Sequence, residues 1–379
     1  MAVDEWGFDS DRQARARDLR RRRLRLSAGR TLVSGVAVIA LILGGSFRLR
    51  DSVLSFHWPS WASSVLFLAL LYALFLAIEL PFAFLGGYRL EKAAGMSSQT
   101  LGSWSKDFGK AAALGLAASI AVGGALLWLL AASPWWWVAA WLLGVAVSAL
   151  LGFLAPVVLV PLFYRFRPLS DPGLRTRFQA LAAKAHVPIV GVFELRASAK
   201  THRSNAAVMG FGRTRRVLVT DTLLQAFSPE EIETVLAHEL AHQRNRDPIR
   251  GFVGGSLVSL TILAAAAAWT YASVYPSFGV RSPGDIAGLP LLVALFSLFA
   301  IPFRPAELFA SRSREGRADR FSLQLTDDPA SFAAAMVKLH DLNLGVADPR
   351  RWERWLFYSH PTGRDRVEMA RAFQPAAAR

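Results

Sequence analysis

The sequence predicts a mainly α-helical membrane protein, in which a multi-span helical bundle carries a smaller α+β domain on one side of the bilayer. Hydrophobic residues make up 53% of the 379 positions, a larger share than ordinary soluble domains contain. Six apolar segments come close to or exceed the ~20 residues that a helix needs to span a bilayer. Two long polar stretches supply the second domain: 164–248 and 305–379.

The composition also limits the chemistry and the partners. The chain has no cysteine, so disulfides and thiolate metal sites are excluded, and any metal must be held by histidine and carboxylate. The formal net charge of +15 would suit a nucleic-acid-binding protein. However, the basic residues are concentrated in particular loops between apolar segments, as the topology of a membrane protein requires. We therefore expect the lipid bilayer as a partner and no nucleic acid.

The N-terminal segment, residues 1–27, is polar and rich in arginine, above all over residues 20–25. Basic segments beside a membrane span attract anionic lipids and remain on the cytosolic side. The sequence therefore predicts a flexible, basic cytosolic tail.

Six apolar segments predict six transmembrane helices. They lie at residues 28–47, 61–85, 111–132, 135–163, 249–275 and 287–304. The first four form an N-terminal membrane domain (28–163), and the last two form a hairpin (249–304). With the tail in the cytosol, the segments after the second, fourth and sixth helices also face the cytosol, and they hold most of the remaining Lys and Arg. We predict a multi-pass protein of the cell membrane, with its N-terminus and polar domain in the cytosol.

The polar domain is divided into two parts by the membrane hairpin. In the first part, the pattern predicts a helix over 173–186, a strand over 190–196 and a β-hairpin from 205–211 to 217–220. The second part is helical in pattern, with breaks at Pro361 and Gly363.

A further helix in the first part carries an H-E-x-x-H motif, made by His238, Glu239 and His242. Its start is predicted at 228–231, where Ser-Pro-Glu-Glu supplies a cap, a first-turn proline and a capping box. Histidines at i and i+4 share one helix face, ~6 Å apart along the axis, and can bind one metal ion, usually Zn²⁺. Glu239 can then take a proton from a metal-bound water. The alternative is two surface histidines on an ordinary helix.

A third ligand is expected from the second part of the domain. Glu315 and Asp319 share one helix face, where like charges cost a few tenths of a kcal/mol unless a cation is near. The membrane hairpin returns the chain to the side that it left, so Glu315 can join His238 and His242 at the cytosolic membrane surface. We expect one Zn²⁺ per chain, with Asp319 hydrogen-bonded to a ligand imidazole. The alternative is a solvated face in which neighbouring arginines neutralise both acids.

Another candidate group lies at residues 358–366. His360 could stabilise the oxyanion of a tetrahedral intermediate, and Arg366 could assist it or anchor a substrate. The alternative is a helix-capping turn with ordinary surface charges.

These motifs, and others over most of the chain, resemble the type I CAAX prenyl proteases, which are integral-membrane zinc endopeptidases, and their bacterial relatives. The similar stretches are Glu79-Leu80-Pro81-Phe82, Arg89-Leu90-Glu91-Lys92, Gly95, Asp107 with Lys110, Pro161-Leu162-Phe163-Tyr164-Arg165-Phe166, His202-Arg203-Ser204-Asn205-Ala206 and Val217-Leu218-Val219-Thr220-Asp221-Thr222-Leu223. The resemblance implies that the polar α+β domain is a zincin-like catalytic domain.

The resemblance also implies a role for each candidate residue. Glu239 would be the general base, and Asp319 would support a metal ligand from behind. Asn205, His360 and Arg366 would line the cleft and position or polarise the scissile carbonyl. The implied zinc ligands are His238, His242 and Glu315.

Two features depart from the eukaryotic pattern. We predict six spans where the eukaryotic members have seven, and Asp247 stands where their motif carries another histidine. An aspartate there is more similar to the bacterial heat-shock membrane proteases. Neither change removes a ligand, but both put the specificity for prenylated proteins in question. We interpret His202 as a cleft or surface residue, since three ligands suffice for a catalytic zinc site.

The resulting hypothesis is a membrane zinc endopeptidase that hydrolyses extended or membrane-associated polypeptides, with or without a lipid modification, at the cytosolic face. The substrate would add as a strand near residues 205–210. One alternative is a heat-shock-type quality-control protease. A transporter would need ionisable residues within several spans, which the sequence does not offer, and a catalytically silent scaffold would have no use for Glu239. The oligomeric state stays open.

Overall fold

Six long helical segments form the membrane part of the computed structural model, which describes residues 2–210, 212–270 and 275–374. In these ranges, six helices are long and apolar enough to cross a membrane, and the predicted number of spans is confirmed. Outside the described residues lie Met1 of the predicted tail, Phe211 of the predicted hairpin, residues 271–274 of the predicted fifth span and residues 375–379.

The N-terminal membrane domain consists of four of these helices. They are α1 (Ser10–Leu54), α2 (Ser60–Ala93), α3 (Leu101–Ala132) and α4 (Trp136–Phe163). Regular helix gives way to π-helical geometry at Leu41–Gly45, Ala83–Leu90 and Ala155–Leu159. Gly44 has φ 156°, a conformation that residues with a Cβ rarely adopt, and this bends α1. Pro81 and Pro156 each remove a backbone donor at or near the other two interruptions.

The expected flexible tail is instead folded against the rest of the protein. Residues 10–27 form the N-terminal part of the long helix α1. Phe8 and Leu19 are buried, and the Gln13 side chain donates to the Asp341 carboxylate over 2.9 Å. The expectation of flexibility is wrong because these side chains find partners in the C-terminal part of the chain, more than 300 residues away.

A small mixed sheet lies in the polar domain. Its strands are β1 (Phe166–Pro168), β2 (Gly191–Leu195), β3 (Ala206–Met209) and β4 (Arg216–Thr220). They lie in the order β1-β2-β4-β3, with β2 and β4 parallel and the outer pairs antiparallel. The strand and the hairpin that the sequence predicts are confirmed. β3 is an edge strand, as binding of an extended chain requires.

Three helices belong to the first part of the polar domain. They are α5 (Pro172–Lys184), α6 (Asp221–Ala226) and α7 (Pro229–Arg244). At the start of α7, Ser228 and Glu231 form the predicted capping box. Ile232, Leu236 and Leu240, spaced four residues apart, are buried in the core that also contains the inner faces of the strands. This spacing leaves the other face of α7 free to carry the H-E-x-x-H side chains.

Five further helices form the membrane hairpin and the second part of the polar domain. They are α8 (Asp247–Trp269), α9 (Ile286–Thr326), α10 (Pro329–Leu342), α11 (Arg351–Phe357) and α12 (Gly363–Ala372). The sixth span and the helix that carries Glu315 are thus one continuous segment, α9. Ser322 of α9 donates to the carbonyl of Thr234 in α7 over 2.7 Å. This contact fixes the two ligand-bearing helices side by side.

Candidate metal centre and active site

His238 and His242 of α7 and Glu315 of α9 come together with one ligand atom each inside a 4.8 Å group. The two imidazole Nε2 atoms are 3.2 Å apart. Oxygens of Glu315 lie 3.2 Å from His238 Nε2 and 3.5 Å from His242 Nε2. Ligands around a tetrahedral zinc, with bonds of about 2.0–2.1 Å, are separated by about 3.3 Å. The three side chains therefore have the spacing of a mononuclear metal site.

The unpaired atoms at the centre of this group also fit a cation. Each histidine has its Nδ1 against a carboxylate, so in the neutral form of the ring Nδ1 carries the hydrogen and Nε2 presents a lone pair. The two lone pairs face each other, and Glu315 Oε2 is buried without a hydrogen bond from any described residue. Buried acceptors that converge in this way are unfavourable unless a cation lies between them. His238, His242 and Glu315 would hold the ion.

Two aspartates lie behind the histidines. Asp319 Oδ1 is 2.8 Å from Nδ1 of His238, and Asp247 Oδ2 is 2.9 Å from Nδ1 of His242. Such contacts fix the ring orientation and make the opposite nitrogen a stronger ligand. Asp319 is where the sequence-based hypothesis places it, beside a ligand imidazole.

Arg366 neutralises the fully buried Asp319. Its Nε lies 3.1 Å and 3.0 Å from the two carboxylate oxygens, and the Arg366 side chain also lines the cavity beside the ligands. Because the Arg366 guanidinium is bound to the carboxylate of Asp319, which in turn contacts His238, Arg366 is better placed to position this ligand than to contact a substrate.

The protonation of the histidines is linked to metal binding. Burial disfavours a charged His238, but the carboxylates of Asp319 and Glu315, which accept from its ring, outweigh burial and raise the pKa of His238 to about 9. Burial also disfavours a charged His242, but contacts with the carboxylates of Glu315 and Asp247 favour it, and the pKa of His242 is raised. An incoming cation must therefore displace protons from the site, and its affinity falls as the pH is lowered.

Glu239 points into a cavity of about 410 Å³ next to the histidines. Burial raises the pKa of its carboxyl group, against the opposing effect of the two imidazoles. A carboxylate with a raised pKa takes protons more readily, which is what a general base near neutral pH needs.

The same cavity brings together the other candidate residues of the sequence. Asn205, at the start of the edge strand β3, and His360 both line it. His360 Nε2 is 3.3 Å from Glu315 Oε2, and its side chain is 57% exposed. It can therefore reach a substrate oxygen beside the metal position. His202 is exposed and does not belong to the metal-ligating group.

Sequence reasoning missed three residues around the site. The sequence marks Asp247 only as a departure from the eukaryotic motif, because its contact with His242 depends on the backbone turn at Arg246. His340 lines the cavity, and burial lowers the pKa of its imidazole to about 4. Asn343 accepts from the backbone N–H of Ser204 and donates to its carbonyl, which holds the segment leading to β3. His340 and Asn343 carry no motif that could have identified them.

Known protein families match the N-terminal membrane domain and the rest of the chain separately. Residues 168–374, more than half of the sequence, match the model of peptidase family M48. The chain belongs to peptidase family M48. Residues 6–165 match the N-terminal region of CAAX prenyl proteases, described as five membrane helices, and four of the candidate spans found in the described residues lie in this range. The protein is thus a multi-span membrane metalloendopeptidase.

Relatives of this M48 member cover most of its length. It is 29% identical over 341 residues to the uncharacterised metalloprotease YhfN of Bacillus subtilis, covering 88% of this chain and 79% of the relative. It is 27% identical over 337 residues to CAAX prenyl protease 1 of Saccharomyces cerevisiae, covering 82% and 73%. The crystal structure of Ste24p from S. mikatae has the same fold, with a TM-score of 0.81, 22% identity and coverage of 95% and 88%. The expected family and fold are confirmed.

Proposed function

We propose that this M48 peptidase uses one zinc ion, held by His238, His242 and Glu315, to cleave extended polypeptides at the cytosolic face of the cell membrane. The observation that carries this proposal is that one ligand atom from each of the three side chains lies close to the other two, and that Glu315 Oε2 is buried without a hydrogen bond from any described residue. Two imidazoles and one carboxylate are a ligand combination found in catalytic zinc sites, where the fourth coordination position is left for water or substrate.

The residues around the metal position have complementary tasks. The ion, when bound, supplies Lewis acidity toward a water and the scissile carbonyl. Glu239 holds the proton removed from the water and delivers it to the leaving amine. His360 donates to the carbonyl oxygen as negative charge develops there. Asp319 and Asp247 keep the ligand imidazoles oriented, while Glu239 and His360 line the same cavity as Asn205, the residue that precedes β3.

The substrates are proposed to be membrane-associated chains, including lipid-modified ones. The relatives named CAAX prenyl protease 1 support a processing role, and they do not favour the alternative of heat-shock-type quality control. The continuity of α9 supports a site near the membrane surface, since Glu315 lies on the same helical segment as the sixth span.

The decisive experiment compares the wild type with Glu239→Gln on prenylated and unprenylated peptides of equal sequence, with and without a chelator. We expect the wild type to cleave the peptides, and Glu239→Gln not to cleave them. The activity of the wild type should be lost when the chelator is added and should return when zinc is supplied. The variant should retain zinc, because Glu239 is not a ligand, while turnover falls at least a hundredfold. Full activity of Glu239→Gln would exclude it as the base, and indifference to the prenyl group would exclude a prenyl requirement.

A further inference from the structure

A second cavity of about 450 Å³ adjoins the catalytic one, and none of the three proposed metal ligands lines it. The two cavities share part of their lining, including Arg203, Asn343 and His360. Two more arginines of α1, Arg20 and Arg23, line the second cavity but not the catalytic one, and the lining residues of the second cavity include no Asp or Glu. A peptide leaving the catalytic site in this direction thus enters a basic chamber, which we name the arginine chamber.

The arginines of the chamber are held in place before any ligand arrives. Arg203 and Arg23 both contact the carboxylate of Glu91, Arg203 over 2.8 Å. The side chain of Arg20 lies over the ring of Tyr358, with 4.5 Å between guanidinium carbon and ring centre. Fixed guanidinium groups bind carboxylates without a large loss of side-chain entropy.

The positive charge of the chamber is only partly neutralised. Glu91 serves two arginines at once, and Arg20 Nε is 3.4 Å from Glu353, so three guanidinium groups face two carboxylates. Neither glutamate lines the chamber. In addition, Arg20 Nη2 is buried and donates no hydrogen bond to any described residue. An unfilled buried donor and an excess positive charge together favour an anionic ligand.

The direction of β3 relates the chamber to one end of the substrate. β3 starts at Ala206, just after Asn205, and runs away from Arg203. A chain that adds antiparallel to this edge runs in the opposite direction, so its C-terminal side passes Asn205 and points toward Arg203. The backbone of the segment is fixed, since the Arg203 carbonyl accepts from Thr222 and the Ser204 backbone is bound by Asn343.

We infer that the arginine chamber binds a carboxylate on the C-terminal side of the scissile bond, through Arg203 with support from Arg20 and Arg23. This inference rests on the proposed peptidase function and adds a specificity determinant to it. The carboxylate is the free terminus of the substrate or an acidic side chain close to it. Arg203 is the specificity residue, because it alone of the three lines both cavities.

The test uses peptides of one sequence that end in a free carboxylate, in a carboxamide, or in a carboxamide preceded by aspartate. The number of residues after the cleaved bond is varied from one to five. We expect kcat/KM for the free acid to exceed that for the amide by about tenfold or more at the best length, mainly through KM. If the aspartate peptide matches the acid, a side-chain carboxylate also satisfies the chamber.

The variant Arg203→Met should abolish the difference between acid and amide. Glu91 keeps its contact with Arg23 in this variant, so no acid is left without a partner. Arg167→Met is the matched control, because Arg167 also pairs with a glutamate but lies on β1 at the opposite edge of the sheet. This control should retain the full preference for the acid.

Equal cleavage of acid and amide by the wild type, or an unchanged preference in Arg203→Met, would overturn the inference. It would also be overturned if Arg203→Met kept that preference but lost a stimulation by vesicles of anionic phospholipid, since the chamber would then hold a lipid headgroup. Failure of the peptidase function itself differs from these outcomes, because no peptide would be cleaved in a chelator-sensitive manner.

Discussion

At the scale of single residues, the metal centre depends on two carboxylates, each of which contacts Nδ1 of one ligand histidine. The pairing of Asp319 with a ligand could be proposed from sequence, since its spacing from Glu315 puts both on one helix face. The contact of Asp247 with His242 could not, because it requires the left-handed turn at Arg246, φ 55°, which starts α8 beside the end of α7. A single backbone conformation thus decides which acid supports the second ligand.

Replacement of Asp247 by asparagine tests this support. Asn keeps the size of the side chain but removes the charge that strengthens His242 as a ligand, so we expect metal affinity to fall about 10–100-fold. The measurement is bound zinc per protein in competition with a chelator of known affinity. Asp348→Asn is the matched control, since Asp348 is 66% exposed and lies 3.7 Å from Arg364, away from the metal-ligating group. Identical retention of zinc by both variants would contradict the assigned role of Asp247.

At the scale of elements, the sequence predicted best those helices and strands whose signals are local. The start of α7 was predicted from its capping box, and the β-hairpin from two apolar runs around a polar turn. The N-terminal part of α1 was predicted wrongly because its polar surface resembles a solvated tail. Its docking depends on partners at the other end of the chain, which local sequence patterns do not show.

The Gln13 side chain makes three of the hydrogen bonds that hold α1 against the C-terminal part of the chain. Gln13 is buried, donates to Asp341 over 2.9 Å and to the Gly345 carbonyl over 3.2 Å, and accepts from the Ala347 N–H over 3.0 Å. Gln13→Ala leaves these groups unpaired, and we expect the protein to lose about 2–3 kcal/mol of stability. The measurement is the melting temperature in detergent, with limited proteolysis of the N-terminal segment as a second readout.

The control for this prediction lies on the same helix. Arg22 pairs with Asp18 one turn away over 2.8 Å, but its side chain is 61% exposed. Exposed pairs of this kind contribute at most about 0.5 kcal/mol, so Arg22→Ala should leave the melting temperature nearly unchanged. A Gln13→Ala protein as stable as Arg22→Ala would mean that the N-terminal half of α1 is not firmly docked.

At the scale of the whole molecule, the placement of the site follows from the path of the chain through the membrane. α8 starts at Asp247, beside the H-E-x-x-H helix, and α9 ends in the polar domain with Glu315 at the metal centre. The two helices must therefore leave and return on the same side of the bilayer. The arginine-rich start of α1 is docked to the same domain, and the positive-inside rule supports the proposal that this side faces the cytosol.

This orientation can be measured by labelling introduced cysteines, because the chain contains no cysteine of its own that would also react. Ser170 lies exposed between β1 and α5 in the polar domain, whereas Ser282 lies exposed in the connection between α8 and α9. In cells whose cell membrane is intact and accessible to the reagent, a membrane-impermeant maleimide should label Ser282→Cys and should label Ser170→Cys only after permeabilisation. The wild type should stay unlabelled throughout. Labelling of Ser170→Cys before permeabilisation would place the metal centre on the outer face, and cytosolic polypeptides could then no longer be its substrates.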